Sequence, residues 1–330
     1  VILKQFNTDV PLLDFEKKIL GPIYSRLHKL KKKGEKINRR DKNNFKELKQ
    51  KLKTEAEHIY KNLNSWQRCQ VARHPHRPYS LDYIQNIFTD FIELHGDRNF
   101  SDDKSMVCGI AALEGTHVVV VAEQKGRKTE EKLKRNFGMP QPEGYRKALR
   151  FFKFAEKFNK PVICFIDTAG AYPGLGGEER SQGEAIARNL KVMAGLQVPL
   201  LGLVIGEGGS GGALGIGVCN HVAMLENAIY SVISPESCAS ILWRDPAEKE
   251  KAAAALKNDA KTAYKFKVVD EIISEGIGGA HRDWQTTFKN VKTSLVKNLK
   301  KLQQLPPAQL RKERIRKYTM IGKVQMLTGK

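Results

Sequence analysis

The chain of 330 residues contains no run approaching the roughly 18 to 20 uninterrupted apolar residues of a membrane-crossing helix. Val1 opens no leader of basic, apolar and small-residue regions. A cytoplasmic location is therefore the expectation, or the plastid stroma if the host is a plant or alga. Paired thiols are missing as well. The five cysteines, Cys69, Cys108, Cys164, Cys219 and Cys238, are scattered, with no C-x-x-C pair and no histidine at ligand spacing, which argues against a zinc site within this chain. Acidic residues are scarce at both ends: nearly all of the net charge of +21 sits in residues 1–66 and 285–330, and 67–284 is close to neutral. Such basic arms suit an acidic protein surface or a phosphate-bearing ligand, and they suit equally the solvated faces of Lys-rich helices. No aromatic residues interleave with the basic runs, so nucleic acid is at most a secondary partner.

What is present is a globular composition, 41% apolar and 28% charged. Apolar residues at helical spacing predict helices over 12–32 and 41–63, with a break at Lys33-Gly34-Glu35. The resulting helical arm covers 1–66. The segment His74-Pro-His-Arg-Pro78 stops helix formation and reads as a boundary, because each residue before a proline is pushed out of the helical region. His74 and His76 lack acidic or thiol neighbours and read as structural or exposed.

From residue 80 the pattern alternates. It predicts a helix over 81–94, a strand pair (106–113, 117–123) turning at Glu114-Gly115, and a helix over 142–158 opened by Pro142. Beyond these it predicts strands over 161–167 and 199–205, helices over 181–196 and 211–218, strands over 222–225 and 229–233, and a helix capped by Ser234-Pro235-Glu236. Strands apolar throughout and alternating with helices make an α/β core with the sheet covered on both faces. That core spans 67–284, and 285–330 forms a basic C-terminal helical tail.

Two glycine-rich stretches, Asp167–Gly177 and Gly206–Gly217, each follow an apolar strand and lead into a helix. Glycines at such a junction let several backbone N–H groups converge with no Cβ in the way, the geometry for stabilising a negatively charged oxygen. Gly211, Gly212 and Ala213 are the candidate donors, and Gly170 and Ala171 the facing wall. Two familiar motifs compete. Gly206, Gly208 and Gly211 satisfy G-x-G-x-x-G with Glu226 downstream, the pattern of an NAD(P)-dependent oxidoreductase, although the following helix is short and interrupted by Gly215 and Gly217. Gly208-Gly-Ser210-Gly-Gly212 fits the serine-hydrolase elbow G-x-S-x-G, with Asp270 and His281 following in order. Neither stretch ends in Gly-Lys-Ser/Thr, which excludes a Walker A loop.

Longer motifs carry more weight. Ala72–Tyr83, Gln124-Lys-Gly-Arg127, Arg135–Pro140, Pro142–Ala148, Asp167–Gly174, Gly206–Gly212, Tyr230–Glu236 and Gly278-Gly-Ala-His-Arg282 occur in one order over nearly the whole chain. In these the sequence resembles the alpha subunits of bacterial-type acetyl-CoA carboxylase carboxyltransferases. It departs at Ala169, where the family usually has proline, and at Ser237, where it usually has glycine. The resemblance implies a crotonase-like ββα superhelix and a carboxyl transfer from carboxybiotin to acetyl-CoA, giving malonyl-CoA for fatty-acid synthesis. It implies that biotin rides on a biotin carboxyl carrier protein and not on this chain. A beta subunit, zinc-bearing and paired in an α2β2 heterotetramer, is expected to bind acetyl-CoA, and a separate biotin carboxylase consumes ATP. By motif position Gly211 and Gly212 become donors to the ureido oxygen of biotin. Gly208, Gly209, Gly170, Ala171, Ala213, Lys125 and Arg127 become substrate-binding, Lys125 and Arg127 as partners of a carboxylate or CoA phosphate.

Overall fold

In the computed structural model of the chain the described residues are 10–32 and 38–322, so the expected break at Lys33-Gly34-Glu35 lies outside them. Leu20, Ile23, Leu27 and Leu30 form one apolar stripe and Leu48, Leu52, Ala56 and Ile59 another, which yields α1 (Asp14–Lys32) and α2 (Arg39–Lys61). The two stripes close on each other and on Val71 as a small core of their own. α3 (Ser65–Ala72) starts at a capping box between Asn64 and Gln67, so a division at 66/67 runs through a helix and not a linker.

The expected helix over 81–94 is two elements. α4 (Ser80–Ile87) ends where Phe88 turns extended, and β1 (Thr89–Glu93) pairs antiparallel with β2 (Met106–Leu113). The Phe91 ring lies over Gly109, and this strand pairing overrides the helical spacing of the apolar residues. β2 returns as β3 (Thr116–Glu123) through Glu114 and Gly115, both at positive φ (47° and 77°), as a two-residue hairpin of the right twist requires. There follow α5 (Thr129–Lys134), α6 (Pro142–Lys157), β4 (Val162–Thr168), α7 (Leu175–Glu179) and α8 (Gln182–Gly195). Next come β5 (Leu200–Gly209), α9 (Ser210–Leu214), β6 (His221–Leu225), β7 (Ile229–Ser231) and α10 (Pro235–Trp243). α11 (Lys249–Leu256), α12 (Ala260–Lys265), β8 (Glu271–Ile273), α13 (Trp284–Gln303) and α14 (Pro307–Thr319) complete the chain.

The strands form one sheet in the order β1-β2-β3-β4-β5-β6-β8, parallel from β3 onward. β5 forks. Its first half, Leu201–Val204, pairs with β6, and its glycine half, Glu207–Gly209, pairs with β7. Both faces are covered, as the uniformly buried β4 and β5 demand. Phe165 of β4 meets Tyr83 and Phe88, and Tyr83 in turn meets Phe288 of α13, while Ile166 next to it points to the opposite side, toward Gly217. The last helices pack on the body: Phe288, Val291, Leu295, Leu299 and Leu310 belong to the main core.

In the proline segment His74, Arg77 and Pro78 are buried in a seam, while Pro75 and His76 are exposed. Arg282 donates to Glu16 Oε2 (2.8 Å) and to the Tyr24 hydroxyl (2.8 Å), fastening α1 to the core, and Tyr60 hydroxyl donates to the other Glu16 oxygen at 3.0 Å. His74 stacks on His281 at 4.2 Å between ring centroids in the same seam. Burial pulls the His74 pKa down to about 4, and burial with the nearby charges of His74 and Arg282 holds His281 well below its ordinary value. The folded chain therefore keeps these rings neutral, whereas the unfolded chain protonates them below about pH 6.5. Stability present at neutral pH is lost as the pH falls from 6.5 toward 4, by about 3 kcal/mol for His74 alone. Denaturation measured between pH 7 and 4.5 should show this slope, and His74→Gln should flatten it.

Candidate active site

The two glycine stretches meet. β4 ends at Thr168 and β5 at Gly209, neighbours in the sheet, so the loops that follow leave from the same edge. A β-carbon on Gly212 would lie 2.6 Å from the Ala171 amide nitrogen and 2.7 Å from the Gly170 carbonyl carbon, and one on Gly209 would overlap the Ala169 carbonyl. The two backbones touch because neither position has a side chain. Gly170 holds φ 155°, a conformation that favours glycine, and Thr168 Oγ1 accepts its N–H at 3.0 Å.

The strand of the second loop runs further than the spacing predicts, to Gly209 in place of Ile205. Gly208 and Gly209 therefore belong to the ladder with β7, opposite Tyr230 and Ser231, and not to a free donor loop. α9 begins at Ser210, shorter than the expected helix over 211–218. Its first-turn N–H groups, Ser210, Gly211 and Gly212, have no partner within the helix, and among the described residues no turn or loop carbonyl accepts them. Gly212 and Ala213 are buried and Gly211 half-buried. A β-carbon on Gly211 would meet only Ile186 Cδ1, at 3.7 Å. Gly211 is thus the glycine of this turn whose missing side chain leaves open space.

Lys125 and Arg127 are committed within the chain. Lys125 Nζ sits 2.8 Å from Asp167 Oδ1 and 2.7 Å from Glu207 Oε2, joining the ends of β4 and β5 directly beneath the two loops. Arg73 pairs with the other Glu207 oxygen at 2.6 Å and with Glu236 at 2.6 Å. Burial alone would raise the Glu207 carboxyl, but Lys125 and Arg73 hold it down at about 2. Burial would likewise lower Lys125, and Asp167 and Glu207 outweigh it and raise the ammonium above its usual range. Arg127 pairs with Asp82, donates to the Arg77 carbonyl at 3.0 Å, and lies over the Tyr79 and Trp284 rings. Both cations thus have partners within the chain.

Arg73, Asp167 and Glu207 escaped notice as a network in the sequence because it needs the ends of β3, β4 and β5 side by side, with the C-terminal end of α3 against them. Its one sequence signal is a charged residue at the end of each of three consecutive apolar runs. The rival motifs lose their partners. Asp270 pairs with Lys317 and accepts the Val222 N–H at 2.7 Å, and His281 is stacked on His74 and hydrogen-bonded to the Tyr60 hydroxyl at 3.1 Å, so these two are engaged elsewhere and do not serve Ser210. Glu226 accepts the Glu275 N–H at 2.8 Å and the Ser274 hydroxyl at 3.2 Å, so it is engaged by the segment that follows β8.

The sequence pattern of the family described as acetyl co-enzyme A carboxylase carboxyltransferase-like matches residues 12–322. The chain belongs to this family. An acetyl-coenzyme A carboxylase carboxyl transferase subunit alpha from Vibrio parahaemolyticus is 56% identical over 264 residues, 80% of this chain and 83% of the relative. One from Flavobacterium johnsoniae is 55% identical over 278 residues, 84% and 88% of the two chains. Among solved structures, transcarboxylase 12S aligns with a TM-score of 0.55 at 21% identity, over 67% of this chain and 41% of that longer one. A Pseudomonas malonate decarboxylase hetero-tetramer aligns at 0.54 and 18%, over 65% and 85%. At such identities these structures establish the fold, and it is the crotonase-like carboxyltransferase fold expected from the motifs. The family's alpha-type subunits imply a beta-type partner. Among the described residues no helix is long and apolar enough to cross a membrane.

Proposed function

We propose that this chain, in the cytoplasm, is the alpha half of a carboxyltransferase that moves a carboxyl group from carboxybiotin on a carrier protein to acetyl-CoA, forming malonyl-CoA for fatty-acid synthesis. The observation that carries the proposal is the junction of the glycine loops: first-turn amides at Gly211 and Gly212 with no acceptor among the described residues, beside an open volume where the Gly211 side chain would be. A flat ring fits a cradle of that kind, and a β-carbon would fill it. When bound, carboxybiotin supplies the carboxyl group, and its ureido oxygen takes up negative charge as the carboxyl leaves. Gly211 and Gly212 donate N–H to that oxygen, Ala213 extends the same turn, and Gly170 with Ala171 walls the cradle. Preorganised donors of this type are worth roughly 3 to 4 kcal/mol each. Gly208 and Gly209 serve by fixing where the turn starts, and Lys125 by holding the roots of both loops together.

Ser210 is exposed, and among the described residues neither Asp270 nor His281 is free to activate its hydroxyl. The half-site calls for the beta subunit, zinc-bearing and holding acetyl-CoA, in an α2β2 assembly that works with the biotin carboxyl carrier protein and biotin carboxylase. Co-expression with a beta subunit should give biotin-dependent malonyl-CoA formation that neither chain gives alone. An assembled complex with no transfer above the beta-only rate would refute the proposal.

A further inference from the structure

The C-terminal helix α14 lies far along the sequence from both glycine loops, yet its buried polar groups grip the trailing ends of the two helices that follow them. Arg314 is 1% exposed and has no carboxylate partner among the described residues. Its guanidinium donates to the carbonyls of Met193, Leu196 (2.9 Å) and Val198 (3.2 Å), closing the C-terminal end of α8, and to Asn220 Oδ1 (2.8 Å). These carbonyls would otherwise be buried without partners. At its other end α8 supports the first loop, where Gln182 Nε2 donates to the Tyr172 carbonyl at 3.3 Å.

One turn further along α14, the Tyr318 hydroxyl donates to the Gly217 carbonyl at 2.8 Å and accepts the Cys219 N–H at 2.9 Å. These groups close the segment that leaves α9. Gly217 is packed tightly there: a β-carbon on it would lie 2.7 Å from the Ala213 carbonyl oxygen. α8 and α9 also touch each other, because Asn189 Nδ2 donates to the Gly215 carbonyl at 3.0 Å. A shift of either helix is thereby passed to the turn that carries Gly211.

We infer that α14 is a clamp, with Tyr318 and Arg314 as positioning residues that act through α9 and α8 to fix the direction of the Gly211 and Gly212 amides. The inference rests on the proposed role of those amides. It gives the basic C-terminal segment a task within the subunit, since two of its polar groups face inward.

The test is Tyr318→Phe in the full complex with the beta subunit, which removes one oxygen and keeps the ring. Ile315→Ala, on the exposed side of the same helix, controls for general loosening of α14. Two quantities are read: amide hydrogen exchange over residues 211–220, and kcat and KM for malonyl-CoA formation. Tyr318→Phe should speed exchange in that segment and lower kcat about 10-fold at unchanged KM for acetyl-CoA, and Ile315→Ala should do neither. Unchanged exchange would overturn the clamp. Faster exchange with unchanged kcat would overturn the positioning role. A wild-type complex without transfer would refute the proposed function instead, and the exchange data would still decide the clamp.

Discussion

Gly212→Ala should lower carboxyl transfer by at least about 100-fold in the assembled complex, while Gly211→Ala, one residue away, should fold and assemble like the wild type. The contrast comes from what each added methyl group meets. At Gly212 it would press on the Ala171 nitrogen and Gly170 carbonyl carbon, both backbone atoms within 2.7 Å, so the two loops must separate. At Gly211 it would have one neighbour, Ile186 Cδ1, at ordinary van der Waals distance. Gly212 is therefore glycine for internal packing, whereas Gly211→Ala takes up only open space beside the turn. If the proposed cradle is right, Gly211→Ala raises the KM for the biotin substrate and lowers kcat with no change in hydrogen exchange or in beta-subunit binding. Full activity in Gly211→Ala would remove the ring from that position. Gly212→Ala requires one further measurement, assembly by size-exclusion chromatography, because a complex that fails to form would also be inactive.

The same two positions show how far the sequence could be read. Strands, helices and the glycine junctions were legible because apolar runs of strand length alternated with helical spacing, and because glycines mark places where side chains are excluded. Ser234-Pro235 capping α10 and Glu114-Gly115 turning β2 into β3 are local chemistry, so they could be predicted one at a time. β1 could not. Its residues carry helical spacing, and only the partner strand with Gly109 under Phe91 makes them extended. The partners of Lys125 and Arg127 were illegible for a related reason. A lysine near a glycine loop reads as a ligand for anions until the fold brings Asp167 and Glu207 within 2.8 Å of it. α3 was hidden in the same way: Val71 packs with the arm helices while Cys69 and Ala72 pack with Ile229 and Ala253, a pairing only the fold brings about.

Glu275→Ala should cost about 3 to 5 kcal/mol of stability, the largest effect expected from a single change outside the glycine loops. Arg77 and Glu275 are 2% and 0% exposed in their side chains, and they form a bidentate pair at 2.8 and 2.6 Å. Glu275 also accepts N–H groups from Asn227 (3.1 Å) and Ala280 (2.8 Å), and Arg77 donates to the Ile205 carbonyl at 2.7 Å. Alanine at 275 leaves the guanidinium buried without a counter-charge and two backbone donors without an acceptor, which is why the loss exceeds that of an exposed pair. Chemical denaturation of the single variant, and of Arg77→Met with Glu275→Leu together, separates the two costs. The double variant should recover much of the stability, because removing both charges also removes the desolvation penalty. It should not recover turnover fully. The Arg77 bond to Ile205 sits one residue before Gly206, at the root of the second glycine loop, and methionine cannot replace it. A double variant with both stability and turnover restored would show that Arg77 serves the core alone, and would leave Lys125 and Arg73 as the charges that hold the loop in place.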